Sequence, residues 1–354
     1  MSDRRCAIGS FLGVLLCCTA CSLQTPRPGG IPAAPGVMPG KQVPAADKEP
    51  FLYVAGKKLS KYELGSSQPI ITVKLTSYAI ALALDDFGNL FVAEAYGSLN
   101  GRIEVYDAHT LGLLRVIETT GYVAAIAADR LGYLYAASAG GVVVFPPGGT
   151  RLVYHLRPER GEAALAFDDL GDLYAAGTLG VAIYAPSYTP GRLKFVRDIR
   201  KGADYPDALA LGPDGDLFVA NAQPCDPPCG RGSVAEYSRG GSEPALRITN
   251  GARAPNELAV DSQGDLYVAN TPIGRRPDEP GWVSVYAPGG VRPIRRVTDG
   301  IDRPQALALD PSQNLYVADF DSDSVSVYSP GGARLLYRIR KGIEYASTLI
   351  VGSP

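Results

Sequence analysis

The stretch ALALDPSQNLYVADFDSDSVSVY at Ala306–Tyr328 contains, in order, a short apolar run, a turn, a second apolar run and an alternating run that ends in an aromatic residue. Less regular copies of this pattern recur along the 354-residue chain. The Leu of the second run marks each copy: Leu52, Leu90, Leu134, Leu173, Leu217, Leu266 and Leu315. Successive copies are therefore 38 to 49 residues apart. A period of this length, built from short β-type runs, is typical of propeller blades.

Each copy predicts four strands, which we call a, b, c and d from the axis to the rim. Strand a is the apolar run that ends in Asp or Gly, as in ALALD at 81–85. A turn rich in Gly and Asp follows, and these residues tolerate the positive φ of a tight turn. Strand b contains the Leu, strand c alternates, and strand d carries most of the charge. The repeat therefore predicts a four-stranded antiparallel blade.

The two ends of the chain decide the number of blades. The first copy begins at FLYVA, residues 51–55, which is already a strand b. Its missing strand a is matched by Thr348–Gly352 at the other end of the chain. We therefore predict an all-β fold, a seven-bladed β-propeller closed by its C-terminal strand a joining N-terminal strands b, c and d. Such closure removes exposed strand edges. A six-bladed ring with an irregular end is the alternative.

The first fifty residues predict export. Residues 1–20 have two arginines near the start and an apolar core at Ala7–Leu16 that is too short to span a bilayer, as in a signal peptide. Thr19-Ala20-Cys21 resembles the lipobox of bacterial lipoproteins, which predicts lipidation of Cys21, although Cys18 stands where an aliphatic residue is usual. An ordinary signal peptide is the alternative. Residues 21–50 are rich in Pro, Gly and Ala and predict a flexible tether ahead of a propeller at 51–354.

Charge and cysteine content narrow the range of partners. The net charge of −2 gives no basic field for nucleic acid. Export places Cys225 and Cys229 in an oxidising space, which favours a disulfide between them.

We expect a monomer at the bacterial cell envelope, in contact with the membrane only through the N-terminal lipid. Its partner would be a protein or glycan of that envelope.

The order of apolar run, Asp, Gly-Asn-Leu-Tyr-Val-Ala-Asp and Val-x-Val-Tyr resembles NHL repeats, and the resemblance covers nearly all of residues 51–352. It implies propeller architecture and says little about activity. Proteins with similar blades include exported binding proteins, sugar lactonases and a streptogramin lyase.

Candidate site residues come from aligning the copies. Five residues before the end of each strand-a run stand Ile80, Ala124, Ala163, Asp207, Asn256, Gln305 and Ser347. The ends of the b runs are Gly56, Glu94, Ser138, Gly177, Asn221, Asn270 and Asp319. Both sets lie at the same mouth of a propeller, and their polar members favour one half of the ring. Two long, Pro-rich b–c loops follow on that side, and we expect Arg275, Arg276 and Trp282 to be exposed contacts there.

These positions support two functional hypotheses. The first is a binding protein that uses the b–c loop face, with no cofactor and no catalytic residues, because His109 falls in a c–d turn and His155 on a rim strand. The second is a metal-dependent, lactonase-like hydrolase. Resemblance to gluconolactonase-like propellers implies that Asp207 and Asn256 would hold Ca²⁺ or another divalent ion. The remaining acidic ligand of that family has no secure match in this sequence, and Glu94 is a candidate substitute for it. A purely structural role, in which these side chains satisfy backbone groups at strand ends, remains open.

Overall fold

The computed structural model describes residues 49–95, 100–138, 140–156, 162–222, 232–271 and 279–354. These residues form seven four-stranded antiparallel sheets. The innermost strand of each sheet packs against that of the next, and the seventh contacts the first, so the sheets form a closed ring. The seven-bladed prediction is confirmed and the six-bladed alternative is wrong. Within the described ranges, no helix is long and apolar enough to cross a membrane.

The strands are numbered in chain order, and their bounds are as follows: β1 Phe51–Ala55, β2 Lys58–Glu63, β3 Ile71–Lys74, β4 Tyr78–Leu84, β5 Asn89–Ala95, β6 Asn100–Asp107, β7 Leu113–Thr120, β8 Val123–Ala128, β9 Leu134–Ser138, β10 Gly141–Phe145, β11 Tyr154–Leu156, β12 Glu162–Phe167, β13 Leu173–Gly177, β14 Gly180–Pro186, β15 Leu193–Ile199, β16 Pro206–Leu211, β17 Leu217–Ala222, β18 Gly232–Tyr237, β19 Leu246–Ile248, β20 Pro255–Val260, β21 Leu266–Asn270, β22 Trp282–Tyr286, β23 Arg295–Val297, β24 Pro304–Leu309, β25 Leu315–Asp319, β26 Ser324–Tyr328, β27 Leu335–Ile339 and β28 Thr348–Gly352. One 3₁₀ turn, Pro330–Gly332, precedes β27. Blade 1 is β28-β1-β2-β3, and blades 2 to 7 take the remaining strands four at a time in chain order.

The ring is closed by the two ends of the chain. β28 pairs antiparallel with β1 from Phe51↔Gly352 to Ala55↔Thr348. The backbone N–H of Ser347 extends this pairing to the carbonyl of Ala55, at 3.0 Å. Blade 1 therefore has its strand a from one end of the chain and strands b, c and d from the other, as predicted.

Antiparallel strands give the propeller two distinct faces. The a–b and c–d turns lie at one end of every blade, which we call the turn face. The b–c loops and the d–a connectors lie at the other end, which we call the loop face. β1 begins and β28 ends at the turn face, so both ends of the propeller emerge there, and Pro354 lies beside Gly88 in the a–b turn of blade 2.

An Asp at the end of strand a organises the a–b turn. In blade 6, Asp261 Oδ1 accepts the backbone N–H groups of Gln263 and Asp265, both at 2.9 Å, and Oδ2 accepts the Tyr267 hydroxyl at 3.0 Å. The same hydroxyl–carboxylate pair recurs in three further blades: Tyr135–Asp129, Tyr174–Asp168 and Tyr316–Asp310. The pair therefore ties the a–b turn to strand b in four of the seven blades.

Two blades vary this pair without leaving the carboxylate or the hydroxyl unpaired. Blade 5 lacks both groups, because Gly212 takes the place of the Asp and Phe218 that of the Tyr. Blade 2 keeps Asp85 but has Phe91 in the Tyr position, and there Asn89 Nδ2 donates to Asp85 Oδ2 at 2.7 Å. In blade 2, Asp85 Oδ2 therefore still accepts a hydrogen bond although the tyrosine is absent. In blade 5 neither group is present, so none is left without a partner.

Tyrosines at the ends of the c strands join neighbouring blades. In four blades the hydroxyl donates to a backbone carbonyl in the connector that leads into its own blade: Tyr62 to Lys341 at 2.7 Å, Tyr237 to Lys201 at 2.8 Å, Tyr286 to Asn250 at 2.7 Å, and Tyr328 to Asp299. The rings of these four residues are buried. This contact gives the aromatic residue at the end of the alternating run a structural role in these copies.

We predict that Asp261→Ala lowers the free energy of unfolding by about 2 to 4 kcal/mol, because two backbone N–H groups and one hydroxyl lose their acceptor in a buried turn. Tyr267→Phe removes one of these bonds and should cost about 1 kcal/mol. Urea denaturation followed by circular dichroism measures both. Asp86→Ala, in an exposed position of the blade 2 turn, is the control and should change stability by less than about 0.5 kcal/mol. An equal loss for Asp261→Ala and Asp86→Ala would contradict the role of the pair.

Candidate functional site

Six of the seven aligned positions on the a strands are β-bulges. The residue that is skipped in the a–b pairing is Ile80, Ala124, Ala163, Asp207, Asn256 and Gln305 in blades 2 to 7. Ser347 takes the corresponding place in blade 1, directly before β28. A bulge redirects the side chain of the extra residue and is often found beside functional sites. The seven residues lie at the loop-face end of the innermost strands, and we call them the axial ring.

The axial ring is apolar on one side and polar on the other. Blades 2 to 4 contribute Ile and two Ala residues, whereas blades 5 to 7 contribute Asp207, Asn256 and Gln305. Asp207 and Asn256 are partly accessible, whereas Gln305 and Ser347 are buried. The accessible polar groups of the ring are therefore concentrated in blades 5 and 6.

Two ring members are used to join blades. Asn256 Nδ2 donates to the carbonyl of Pro304 in blade 7 at 2.9 Å. The Thr271 hydroxyl donates to the same carbonyl at 2.8 Å and lies 3.3 Å from Asn256 Oδ1. Ser347 Oγ lies 2.7 Å from the carbonyl of Ala79 in blade 2. Within the described ranges, the carboxylate of Asp207 and the side-chain amide of Gln305 have no side-chain hydrogen bond. Asp207 is thus the accessible ring residue whose side chain is not used to join blades.

A second carboxyl group lies beside Asp207. Glu257 directly follows the bulge residue of blade 6 and is fully buried. Its Oε1 accepts the backbone N–H of Leu258 at 3.1 Å, and its Oε2 has no hydrogen-bond partner among the described residues. Burial, and then the charge of Asp207, raise the pKa of Glu257 well above its ordinary value. Burial also raises the pKa of Asp207, to about 6. At neutral pH the pair therefore offers a protonated acid and a carboxylate, a donor and an acceptor together.

The sequence analysis did not single out Glu257. The sequence nevertheless contained a signal that could have identified it. Glu257 is the first residue of the run ELAV at 257–260, and the other copies have a small residue at that position: Ala81, Ala125, Ala164, Ala208, Ala306 and Thr348. A carboxyl group in a slot that otherwise takes Ala or Thr is costly to bury unless something compensates it. This substitution marks blade 6 as different from the rest of the ring.

The polar residues at the ends of the b strands face the connectors. Each is buried and is hydrogen-bonded to backbone that leads into its own blade: Glu94 Oε1 from Thr76 N at 3.2 Å, Asn221 Nδ2 to Gly202 O at 2.9 Å, Asn270 Oδ1 from Arg253 N at 2.7 Å, and Asp319 Oδ2 from Asp302 N at 2.6 Å and Arg303 N at 2.9 Å. These four side chains therefore order the d–a connectors. The structural interpretation of the strand-end residues accounts for them.

The expectation that Trp282 is exposed is wrong. Only 4 % of the residue is accessible. Its Nε1 lies 2.9 Å from Ser284 Oγ, and the Arg296 guanidinium covers the ring with its carbon 3.9 Å from the ring centroid. Trp282 begins strand c of blade 6, whose residues are all buried, so the indole belongs to the packing of the blade.

Five further positions predicted from the sequence lie outside the described residues. They are Cys21, Cys225, Cys229, Arg275 and Arg276. The two histidines lie away from the axial ring: His109 is exposed in a c–d turn on the turn face, and His155 is on the rim strand β11. In the part of the chain that is described, no three His, Cys, Asp or Glu residues are grouped so that they could hold a metal ion.

An aromatic patch borders the axial ring on the loop face of blades 7, 1 and 2. The Tyr345 ring lies 5.5 Å from the Tyr78 ring and 5.2 Å from the Phe320 ring, measured between centroids. Lys57 Nζ lies 4.8 Å from the Tyr345 centroid. Tyr345 has φ of 56°, a left-handed conformation that is uncommon for a bulky residue and is often found at functional sites. Tyr205, two residues before Asp207, repeats it with φ of 57°.

Comparison with known structures places the chain among β-propellers. A Bacteroides fragilis protein described as a "putative 6-phosphogluconolactonase" superimposes with a TM-score of 0.67 at 15 % identity, covering 88 % of this chain and 100 % of that one. A functionally unknown protein from Desulfotomaculum acetoxidans gives 0.66 at 13 % identity, with 86 % and 99 % covered. Hydrazine synthase from Kuenenia stuttgartiensis gives 0.60 at 15 % identity, with 83 % and 99 % covered.

Identities this low show the fold alone, because one fold hosts many activities. No family model and no curated protein matches the sequence. The resemblance to NHL repeats therefore stays a prediction about the family, while the propeller architecture that it implied is confirmed.

A buried carboxyl pair in blade 2 has a consequence for stability. Glu94 is fully buried, and its Oε2 has no hydrogen-bond partner among the described residues. The neighbouring Glu104 is held by Arg102, with Nη2 at 2.8 Å, and by the Tyr106 hydroxyl at 2.5 Å. Burial, and then the charge of Glu104, raise the pKa of Glu94 to about 7. Glu94 therefore keeps its proton in the folded protein at pH values where the unfolded chain releases it.

We predict that this contribution to the free energy of unfolding falls as pH rises from about 4.5 to about 7 and then levels off, because only the unfolded state loses the proton in that range. Glu94→Gln should remove a fall of about 3 kcal/mol. Urea denaturation at a series of pH values measures it. Asp207 and Glu257 act in the same direction, so the test is the difference between variant and parent. Glu118→Gln, an exposed partner of Arg102, is the control. A Glu94→Gln curve parallel to that of the parent would contradict the assignment.

Proposed function

We propose that this protein is an exported, lipid-anchored binding protein that takes a small, hydroxyl-bearing ligand at the axial ring. The observation that carries the proposal is the Asp207 carboxylate, which is accessible and available for hydrogen bonding, with the buried acid Glu257 behind it. A buried polar atom without a partner costs free energy, and a ligand that supplied the partner would recover it.

The shape of the ring favours a ligand with one polar and one apolar side. Ala124 and Ala163 take the ring positions of blades 3 and 4 with small, partly accessible side chains. Asp207 accepts a hydrogen bond from a ligand hydroxyl, and the buried Glu257 stays protonated, so that the pair carries a single negative charge. The aromatic patch adds flat apolar surface beside the ring, which suits the C–H face of a sugar or a polyol. Export and lipidation rest on the residues before Cys21 and agree with an envelope ligand.

We predict that Asp207→Asn weakens ligand binding at least about tenfold, because a hydrogen bond to a charged group contributes about 1.5 to 3 kcal/mol. The ligand would be found by a thermal-shift screen of neutral sugars, polyols, amino acids and short peptides, and its affinity measured by calorimetry. Asp214→Asn, in the exposed turn of the same blade on the opposite face, is the matched control and should bind as the parent does. Ligands bound equally by Asp207→Asn and the parent would remove the axial ring from the proposal.

Lactone hydrolysis around an axial divalent ion is the second candidate, and Glu257 is the observation that favours it, because it supplies an acidic oxygen near Asp207. The side chains fit an ion poorly. Glu257 is fully buried, the Asn256 amide is held by the Pro304 carbonyl, and among the described residues no third His, Cys, Asp or Glu joins Asp207 and Glu257. We therefore expect calorimetric titration with Ca²⁺, Mn²⁺ and Zn²⁺ to give no heat that Asp207→Asn abolishes. Such a heat, together with turnover of a lactone panel, would reverse the order of the two candidates.

A further inference from the structure

Eight of the fifteen exposed large apolar residues in the described part of the chain lie on the turn face of blades 2 to 4. Ile70, Val291 and Ile294 are exposed in c–d turns of blades 1 and 6 on the same face. The a–b turns of blades 2 to 4 each present one at the tip: Phe87, Leu131 and Leu170, with 66 %, 53 % and 64 % of the residue accessible. The c–d segments of the same blades add Leu113, Leu114, Leu152, Val153 and Tyr188. We call these eight residues the turn-face apolar arc. Exposed apolar patches of this kind usually mark an interaction surface.

The arc passes from blade 2 to blade 3 through the Phe87 ring. A Cβ placed on Gly132, next to Leu131, would lie 3.1 Å from that ring and 3.6 Å from Pro147. A Cβ on Gly171, next to Leu170, would lie 3.3 Å from Pro186 of the same blade. The tips therefore lie beside Gly and Pro residues, and more than half of each tip residue stays accessible. The a–b turns of blades 5 to 7 carry Asp214, Gln263 and Ser312 at the equivalent tips instead.

The N-terminal end of the propeller emerges on this same face. β1 begins there, and Pro354 lies beside Gly88, the residue that follows Phe87. Cys21, where we propose the lipid, precedes Glu49 by 28 residues (49 − 21). A chain of that length spans at most about 100 Å, and it reaches the turn face without passing around the propeller. Once one end is anchored, contact between this face and the bilayer is effectively intramolecular.

Exposed arginines border the apolar side chains of the arc. The turns expose Arg130, Arg151 and Arg192. The exposed carboxylates are Asp86 and Asp169, and Asp169 is paired with Arg239. Four more carboxylates of these turns are partly accessible: Asp107, Asp129, Asp168 and Asp172. The three exposed arginines can meet the phosphates of phospholipid headgroups, and the apolar tips can enter the region between them.

We propose that the turn-face apolar arc rests on the lipid surface to which the chain is tethered, with Phe87, Leu131 and Leu170 inserted between headgroups. The loop face, with the axial ring, then points away from the bilayer. This inference rests on the exposed residues of the turn face and does not require a ligand at the axial ring.

Binding to vesicles tests the proposal without the lipid anchor. Residues 22–354, which contain every strand of the ring, should float with phosphatidylcholine vesicles and more strongly when phosphatidylglycerol is added. The combined change Phe87→Ser, Leu131→Ser and Leu170→Ser should lower the partition coefficient at least about tenfold. Leu179→Ser is the matched control, because Leu179 is 56 % accessible in blade 4 but lies on the loop face, and it should bind as the parent does.

A second measurement reports contact in the lipidated full-length protein. The indole introduced by Phe87→Trp should be quenched by brominated phospholipids, whereas the buried Trp282 of the parent should not. Absence of flotation by the parent, flotation unchanged by the triple substitution, or no quenching of the indole at position 87 would each overturn the proposal. So would a dimer, seen by analytical ultracentrifugation, that the triple substitution dissociates, because the arc would then be covered by a second copy.

Discussion

The antiparallel pairing of β28 with β1 is the interaction on which the rest of the molecule depends. Five residue pairs join the first and last described strands, and through them each blade gains two neighbours. The hydrogen bond from Ser347 to Ala79 exists only because the last connector is brought beside blade 2. An axial ring with seven members, and an inner side for each a strand to bury, both require this closure.

Closure also determines where chemistry can occur. Inner strands in a crowded ring are built mostly from Ala, Val and Leu, so a polar side chain that reaches the accessible mouth is most easily placed where the backbone departs from regular pairing. The bulge at the start of each a strand is such a place, and it recurs at the same residue in six blades. Variation at the bulge residue alone changes the ring from apolar to polar, while the ladders that carry the fold stay the same. Asp207 and Asn256 are accommodated in this way.

The fold could be predicted from the sequence because the strand, turn and aromatic positions of one blade are repeated in the others. The aligned ring residues were found for the same reason, although nothing in the sequence indicated that a bulge places them there. The direction of individual side chains could not be predicted in the same way. Asn270 and Asp319 share the mouth with Asp207 in sequence alignment, yet their side chains turn to the connectors, since unpaired backbone N–H groups there need acceptors. Trp282 follows a predicted loop but packs inside its blade. The proposed role of Glu257 was not predicted, because a single residue other than Ala within an apolar run does not change the strand pattern.

The two faces of the ring differ for a physical reason. Connectors on the loop face join separate blades, and buried side chains such as Glu94 and Asn221 order their backbone. The a–b turns on the turn face join strands within a blade, and in blades 2 to 4 their Asp residues accept the backbone N–H groups of the tip residues. The turn therefore needs the backbone of the tip residue and does not depend on an apolar side chain there. Phe87, Leu131 and Leu170 occupy tips of this kind, where a polar residue would preserve the turn equally well. The a–b turns do not require apolar side chains at three adjacent tips, and the proposed contact with a lipid surface gives a reason for them.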